Sequence, residues 1–138
     1  MGIRAQISIA AAVAVSGCAT PGPYAEVTGE RLSVSDATEE PVQIVGVGGR
    51  LLTSAPTTVA IEPGAQMLLV RTTRRDGRRV SPDAMLPLNA KPCMRYYVVA
   101  KHESQLTVEP WWLEIKKIEP IAECLAKYPN GEKPKGGA

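Results

Sequence analysis

The chain is poor in the residue types that most enzymes rely on. It has no phenylalanine, only 4% aromatic residues, three cysteines and a single histidine, His102. A Ser–His or Cys–His nucleophile system would have to use that histidine, and no Gly-x-Ser-x-Gly motif is present. A metal site needs more ligands than two cysteines and His102 readily supply. We therefore expect no enzyme, no metal and no cofactor, and we predict that His102 is exposed in a turn.

The chain also lacks a strong charge of either sign. Its formal net charge is +2, which gives no reason to expect nucleic acid as a partner. The apolar runs are instead rich in Val, Ile, Leu and Thr, and 12 prolines and 12 glycines interrupt them. This mixture favours several short strands over long helices.

The N-terminal residues have the order of a secretory signal. Arg4 precedes an apolar run over 7–15, and the run ends in Val15-Ser16-Gly17-Cys18. The run is too short, and too interrupted by polar residues, to span a bilayer, which takes about 20 apolar residues. The last four residues resemble the lipobox of bacterial lipoproteins.

That resemblance implies that 1–17 is a signal peptide and that Cys18 is acylated and becomes the first mature residue. Two or more acyl chains would hold the protein firmly on a membrane. Ala19 stands where an Asp would retain a lipoprotein at the inner membrane of well-studied Gram-negative bacteria. The resemblance thus implies the periplasmic face of the outer membrane. The alternative is a cleaved signal of a soluble protein, with Cys18 incidental.

One pair of cysteines remains once Cys18 carries lipid. Cys93 and Cys124 would meet an oxidising periplasm, and we predict a disulfide between them. The alternatives are two free thiols or a metal site.

Turn residues divide the rest of the chain into strands. We predict a tether over 18–29, a domain over 30–128 and a disordered tail over 129–138. The clearest hairpin joins 57–61 to 65–73 through Glu62-Pro63-Gly64, and its second strand is expected to be covered on both faces. Gly46 to Gly49 predicts a turn or bulge and not a phosphate loop. Further strands are predicted over 84–89, which Pro87 marks as an edge or a bulge, over 93–101 and over 111–117. A short helix that begins at Pro120 is predicted to follow.

Two groups of residues are candidates for binding a partner. The first group consists of four arginines around an Asp-Gly turn signal: Arg74, Arg75, Arg78 and Arg79. They predict either an anion-binding finger or a solvated loop tip. Tyr97 and Trp112 are the outward members of two aromatic pairs, and they predict an aromatic contact surface unless other elements cover them.

Two segments also carry a resemblance to a family. Pro92-Cys93-Met94-Arg95-Tyr96-Tyr97 and Glu119-Pro120-Ile121-Ala122-Glu123-Cys124 resemble a group of small proteobacterial outer-membrane lipoproteins of unknown function. Ile61-Glu62-Pro63-Gly64 before an apolar strand is similar to the PEGA class of small β-domains. The resemblance adds support for the disulfide and implies no activity.

These observations predict a mainly β protein, a small antiparallel β-sandwich with Ig-like or transthyretin-like layering, a short C-terminal helix and one disulfide. The function we expect is that of a non-enzymatic, lipid-anchored envelope protein, a binding or accessory module for an envelope protein or glycan. The alternatives are an enzyme or enzyme inhibitor that acts on envelope material, and a structural spacer.

Overall fold

The computed structural model describes residues 22–32, 36–75, 77 and 81–132. These residues form nine strands and one short helix, α1, which is not long and apolar enough to cross a membrane. In chain order the elements are β1 (Ala25–Thr28), β2 (Glu39–Glu40), β3 (Val42–Val47), β4 (Arg50–Leu51), β5 (Thr58–Ile61), β6 (Gly64–Thr72), β7 (Ala84–Ala90), β8 (Met94–His102), β9 (Trp111–Pro120) and α1 (Ala122–Lys127).

The strands form two sheets that enclose one core, so the mainly β sandwich is confirmed. In the first sheet β8 pairs along its whole length with β9; its other edge pairs with β1 and then with β2, and β5 lies outside β1. The second sheet has the order β4-β3-β6-β7. All pairs are antiparallel except β1 with β8. Strand β7 is an edge, as Pro87 predicted.

Alternation along the strands builds the core. Tyr96, Val98 and Ala100 of β8 point inward and are buried, as their spacing predicted. Leu68 and Val70 of β6 meet them from the second sheet, and each is fully buried. Burying an apolar side chain of this size contributes roughly 1.5–3 kcal/mol.

The predicted hairpin between 57–61 and 65–73 is wrong. Strand β5 pairs with β1 in the first sheet, whereas β6 pairs with β3 and β7 in the second. Residues 62–64 therefore turn a corner between the sheets, and Gly64 adopts φ +109° there. Strand β6 is a central strand, as its apolar residues predicted. The expectation that it is covered on both faces is wrong, because Met67 is exposed on its outward face.

Part of the predicted tether belongs to the domain. Strand β1 lies within 18–29, with Ala25 and Val27 fully buried between β5 and β8. The breakers Pro23 and Gly29 flank this strand and do not interrupt it. Cys18, the signal segment and residues 133–138 of the predicted tail lie outside the described residues.

The Cys93–Cys124 disulfide is confirmed, with Cα atoms 5.2 Å apart. It ties the start of β8 to α1, and both cysteines are fully buried in a small cluster of their own. The short C-terminal helix is confirmed, but it begins at Ala122 and not at the predicted Pro120, because Pro120 is still paired with Met94 as the last residue of β9. We call this end of the sandwich, with Tyr24, the 62–64 corner, the disulfide and α1, the disulfide end. The opposite end, with Thr72, His102 and Trp111, is the far end.

Candidate functional site

Two groups of exposed apolar side chains lie on the sheets, and Leu32, Leu106 and Leu125 are exposed elsewhere in the described residues. One lies on the outward face of the second sheet, and the other follows β9. The first group is Leu51, Met67 and Met85, exposed by 72%, 41% and 64%; the second is Trp112, Ile115 and Ile118.

The first group surrounds a pocket of about 150 Å³. Pairing aligns Leu51, Gly46, Leu69 and Met85 in one row across all four strands of the second sheet. Because Gly46 has no side chain, the row has a gap at this position, and the side chains of Leu51 and Leu69 on either side form walls of the pocket. A Cβ at this position would lie 3.2 Å from Cβ of Leu69, within the space that the pocket occupies.

Local sequence produces this arrangement. The register between β3 and β6 shifts between Ile44 and Gly46, a bulge that brings Gly46 opposite Leu69. Gly48 and Gly49 then adopt φ values of +58° and +80°, which L side chains rarely adopt, and reverse the chain. The predicted turn or bulge is thus confirmed, since the bulge lies at Gly46 and the turn at Gly48 and Gly49. The turn brings Leu51 opposite Gly46.

The pocket is suited to a single apolar group. An engineered protein cavity of about 150 Å³ holds one benzene molecule. Leu51, Met67 and Met85 are flexible or exposed enough to adapt to a guest, as methionine-rich binding surfaces do. Arg50 is the one charged side chain among the residues that line it. The sequence reasoning missed this site, although the apolar outward residues of β6 signalled it.

Tyr97 and Trp112 lie on the outward face of the first sheet but not side by side. Tyr97 is paired with Lys117, whereas Trp112 is paired with Lys101, four residues along β8. Tyr97 is half-buried and donates a hydrogen bond of 2.5 Å to Glu119. Trp112 is 43% exposed. The structure does not bring these two aromatic side chains together, and their part in binding stays a prediction.

Glu119 is the centre of a network of charges around Tyr97. Its carboxylate accepts hydrogen bonds from Tyr97 and from Arg95 (3.1 Å), and Lys117 lies 2.9 Å away. The Tyr97 hydroxyl, Lys117 and Arg95 together lower the pKa of Glu119 to about 2. Because Arg95 also binds Glu26 at 2.8 Å, this part of the sheet is internally satisfied. Few of its polar groups are left without a partner to bind a ligand.

Arg74 is not part of a projecting finger. Its guanidinium turns inward and donates hydrogen bonds to the backbone oxygens of Ser104 (2.7 Å), Thr107 (3.2 Å) and Ala37 (2.8 Å) and to the carboxylate of Glu40 (2.9 Å). Both interpretations of this segment, an anion-binding finger and a solvated loop tip, are therefore wrong for Arg74. Arg75 is exposed, and Arg78 and Arg79 lie outside the described residues.

The prediction of an exposed His102 is wrong. The side chain is buried, with Nδ1 2.6 Å from the carbonyl oxygen of Val108 and Nε2 3.2 Å from the hydroxyl of Thr72. Its ring stacks on Trp111 at a centroid distance of 6.2 Å. Since a carbonyl only accepts, Nδ1 carries the hydrogen and Nε2 accepts from Thr72. Burial lowers the pKa of His102.

A second cavity, of about 250 Å³, lies between residues 31–32 and 36–40 on one side and the first sheet on the other. Leu32 and Val99 are its apolar lining residues, and the other residues that line it are charged. Asp36 binds Lys101 at 2.5 Å, and Glu39 binds Lys116 at 2.6 Å. The hydrogen bond from Lys101 holds the pKa of Asp36 well below its usual range. Four of the five charged residues that line the cavity, all but Arg31, are thus in ion pairs, since Glu40 also pairs with Arg74. The cavity is therefore a weaker candidate than the pocket over Gly46.

Comparison of the chain with protein-family models, with curated proteins and with solved structures finds no match. Within the described part of the chain, no group of three or more His, Cys, Asp or Glu side chains is placed to hold a metal ion.

Proposed function

We propose that this protein is a non-enzymatic, lipid-anchored binding module on the periplasmic face of the outer membrane. It holds an envelope protein through the pocket over Gly46. The lipobox resemblance at Cys18 and the disulfide support an exported, membrane-attached protein. The observation that carries the binding role is the concave apolar row of Leu51, Gly46, Leu69 and Met85.

The lining of the pocket favours a protein as the ligand over a glycan. Glycans and other polar ligands need several converging donors and acceptors, and the side chains here are apolar except for Arg50. A pocket of this size takes one large apolar side chain. Arg50 at the rim favours a partner that carries an acidic group next to that side chain.

Photo-crosslinking in the envelope tests the binding role. A photoreactive amino acid at Met85, compared with one at Leu106, places the same probe at two exposed positions. Leu106 is 94% exposed at the far end and serves as the control. We expect one discrete protein adduct from Met85 only, lost when Leu51→Ser removes a wall of the pocket. An adduct with lipid or glycan, or no adduct, contradicts the proposal.

Fractionation tests the anchor separately. Cys18→Ala should move the protein from the membrane fraction to the soluble periplasmic fraction. Unchanged fractionation would show that Cys18 does not hold the protein on the membrane.

A further inference from the structure

The point at which the N-terminal segment leaves the domain is fixed. The carbonyl oxygen of Tyr24 accepts a hydrogen bond of 2.7 Å from the backbone N–H of Cys93, and Sγ of Cys124 lies 3.7 Å from the same oxygen. The Tyr24 side chain packs against the disulfide cluster, and the next residue, Ala25, is fully buried in β1. The segment therefore leaves the domain at the disulfide end.

The reach of that segment is short compared with the domain. Six peptide units join Cys18 to Tyr24, so even a fully extended chain spans only about 20 Å. Strand β8 has nine residues and runs from the disulfide end to the far end. At about 3.4 Å per residue the sandwich is roughly 30 Å long.

We infer that the disulfide end faces the lipid bilayer and that the far end projects away from it. The inference rests on the proposed lipid anchor at Cys18. An inverted domain, with the far end on the bilayer, would place Tyr24 about 30 Å from the surface, beyond the reach of the tether. The bilayer thus meets α1, the 62–64 corner and the turn before β8.

The charges at the disulfide end are mixed. Lys91 and Lys127 are accompanied by Glu62, Glu123 and Glu132, and all five are exposed. Such a surface has little net attraction for anionic headgroups. The tether alone therefore sets the orientation, and neither salt nor the content of anionic lipid should change it.

This orientation also assigns the other surfaces. Arg75, Leu106 and Trp112 lie at or near the far end, away from the leaflet that holds the anchor. The pocket over Gly46 opens sideways, on a face roughly parallel to the long axis of the sandwich. A partner can therefore occupy the pocket without displacing lipid.

Paramagnetic broadening of amide signals tests the inference. The lipidated protein, labelled with ¹⁵N, is placed in nanodiscs that contain a gadolinium-chelating headgroup lipid. We expect the strongest broadening at 122–127 and 62–64 and the weakest at 103–107, at low and at high salt. The strongest broadening at 103–107, equal broadening at both ends, or a pattern that salt abolishes overturns the orientation.

A longer tether is the matched control. Inserting about twenty Gly and Ser residues after Thr20 gives the tether enough reach for other orientations. We expect the difference between the two ends to shrink; an unchanged difference would show that the surface itself binds lipid, and would overturn the tether account. Flotation with the nanodiscs tests the anchor. A protein that does not float contradicts the anchor and the inference together, whereas a floating protein with the wrong pattern contradicts the orientation alone.

Discussion

Arg74 donates a hydrogen bond of 2.7 Å to the backbone oxygen of Ser104, a residue 30 positions further along the chain. The same guanidinium also reaches Ala37, next to β2, and Thr107 in the loop before β9. One side chain after β6 thus satisfies backbone carbonyls from two other segments at the far end. This explains why the arginine turns inward although its sequence neighbours suggest a charged loop tip.

Replacing Arg74 should therefore destabilise the protein. We expect Arg74→Ala to lower the free energy of unfolding by about 2–3 kcal/mol, because hydrogen bonds to a charged group contribute roughly 1.5–3 kcal/mol and their loss leaves carbonyls unpaired. Arg75→Ala removes the same charge from an exposed side chain and should change stability by less than about 0.5 kcal/mol. Urea denaturation of both variants measures the difference. Equal effects would show that the Arg74 contacts do not stabilise the far end.

His102 should make the protein sensitive to mild acid. Burial lowers its pKa below the value of 6.5 that applies in the unfolded chain, as does the nearby Arg74, while the Val108 carbonyl and Glu40 oppose the shift. The unfolded state therefore binds more protons below about pH 6.5, so the free energy of unfolding falls as the pH is lowered from there. Denaturation curves at pH 7.5, 6.0 and 5.0 measure this fall.

His102→Gln is the control for that pH dependence. The variant should be less stable at pH 7.5 but should lack the fall between about pH 6.5 and 5. Glu119 does not confound the comparison, because its pKa of about 2 places its own contribution in a more acidic range, lost as the pH falls below about 4.5. A variant with the same slope as the native protein would assign the sensitivity to other groups.

The disulfide should be a main source of stability in a domain of this size. Cys93→Ala with Cys124→Ala opens a loop of 31 residues, and the chain-entropy model predicts a loss of roughly 3–4 kcal/mol. The two cysteines also form the centre of the cluster on which Tyr24 and Ile121 pack, so the loss should extend to α1. Urea denaturation and the helical circular dichroism signal test both effects. Equal stability of the oxidised and reduced native protein would contradict the prediction.

Patterns that depend on neighbours in sequence predicted much of the fold. The alternation of Tyr96, Val98 and Ala100 predicted the inward face of β8, and the single cysteine pair that remains beside Cys18 predicted the disulfide. The 62–64 turn was also visible. The sequence did not reveal that this turn connects the two sheets, because a turn signal is the same whether the next strand pairs with the preceding one or joins the opposite sheet.

The misplaced site residues share a physical cause. Arg74 and His102 are held by backbone oxygens in the 104–108 loop, and those contacts form only when the loop closes over the far end. The pocket depends on register across four strands, which sets Gly46 between Leu51 and Leu69. Periodicity within one strand carries no information about which residue of another strand lies opposite.

Among the glycines of the described residues, Gly29 should be the least tolerant of substitution. It follows β1, donates to the Thr57 carbonyl at 2.8 Å and accepts from the N–H of Val42 at 3.2 Å, and so ties β1 to β3. A methyl group here would overlap the Val42 carbonyl oxygen and lie 2.6 Å from its Cγ2. Because rigid backbone cannot yield as a side-chain tip can, we expect Gly29→Ala to cost about 3 kcal/mol, at the upper end of overpacking effects.

Gly49→Ala distinguishes this steric effect from ordinary loss of backbone freedom. Gly49 has φ +80° and no atom within 4 Å of a Cβ, so its replacement adds only conformational strain, about 1–2 kcal/mol. Thermal and urea denaturation should show that the Gly29→Ala variant is clearly less stable than the Gly49→Ala variant. The reverse order would mean that β1 and β3 can separate at Gly29 without cost, and that the close approach of the two sheets there is not needed for the fold.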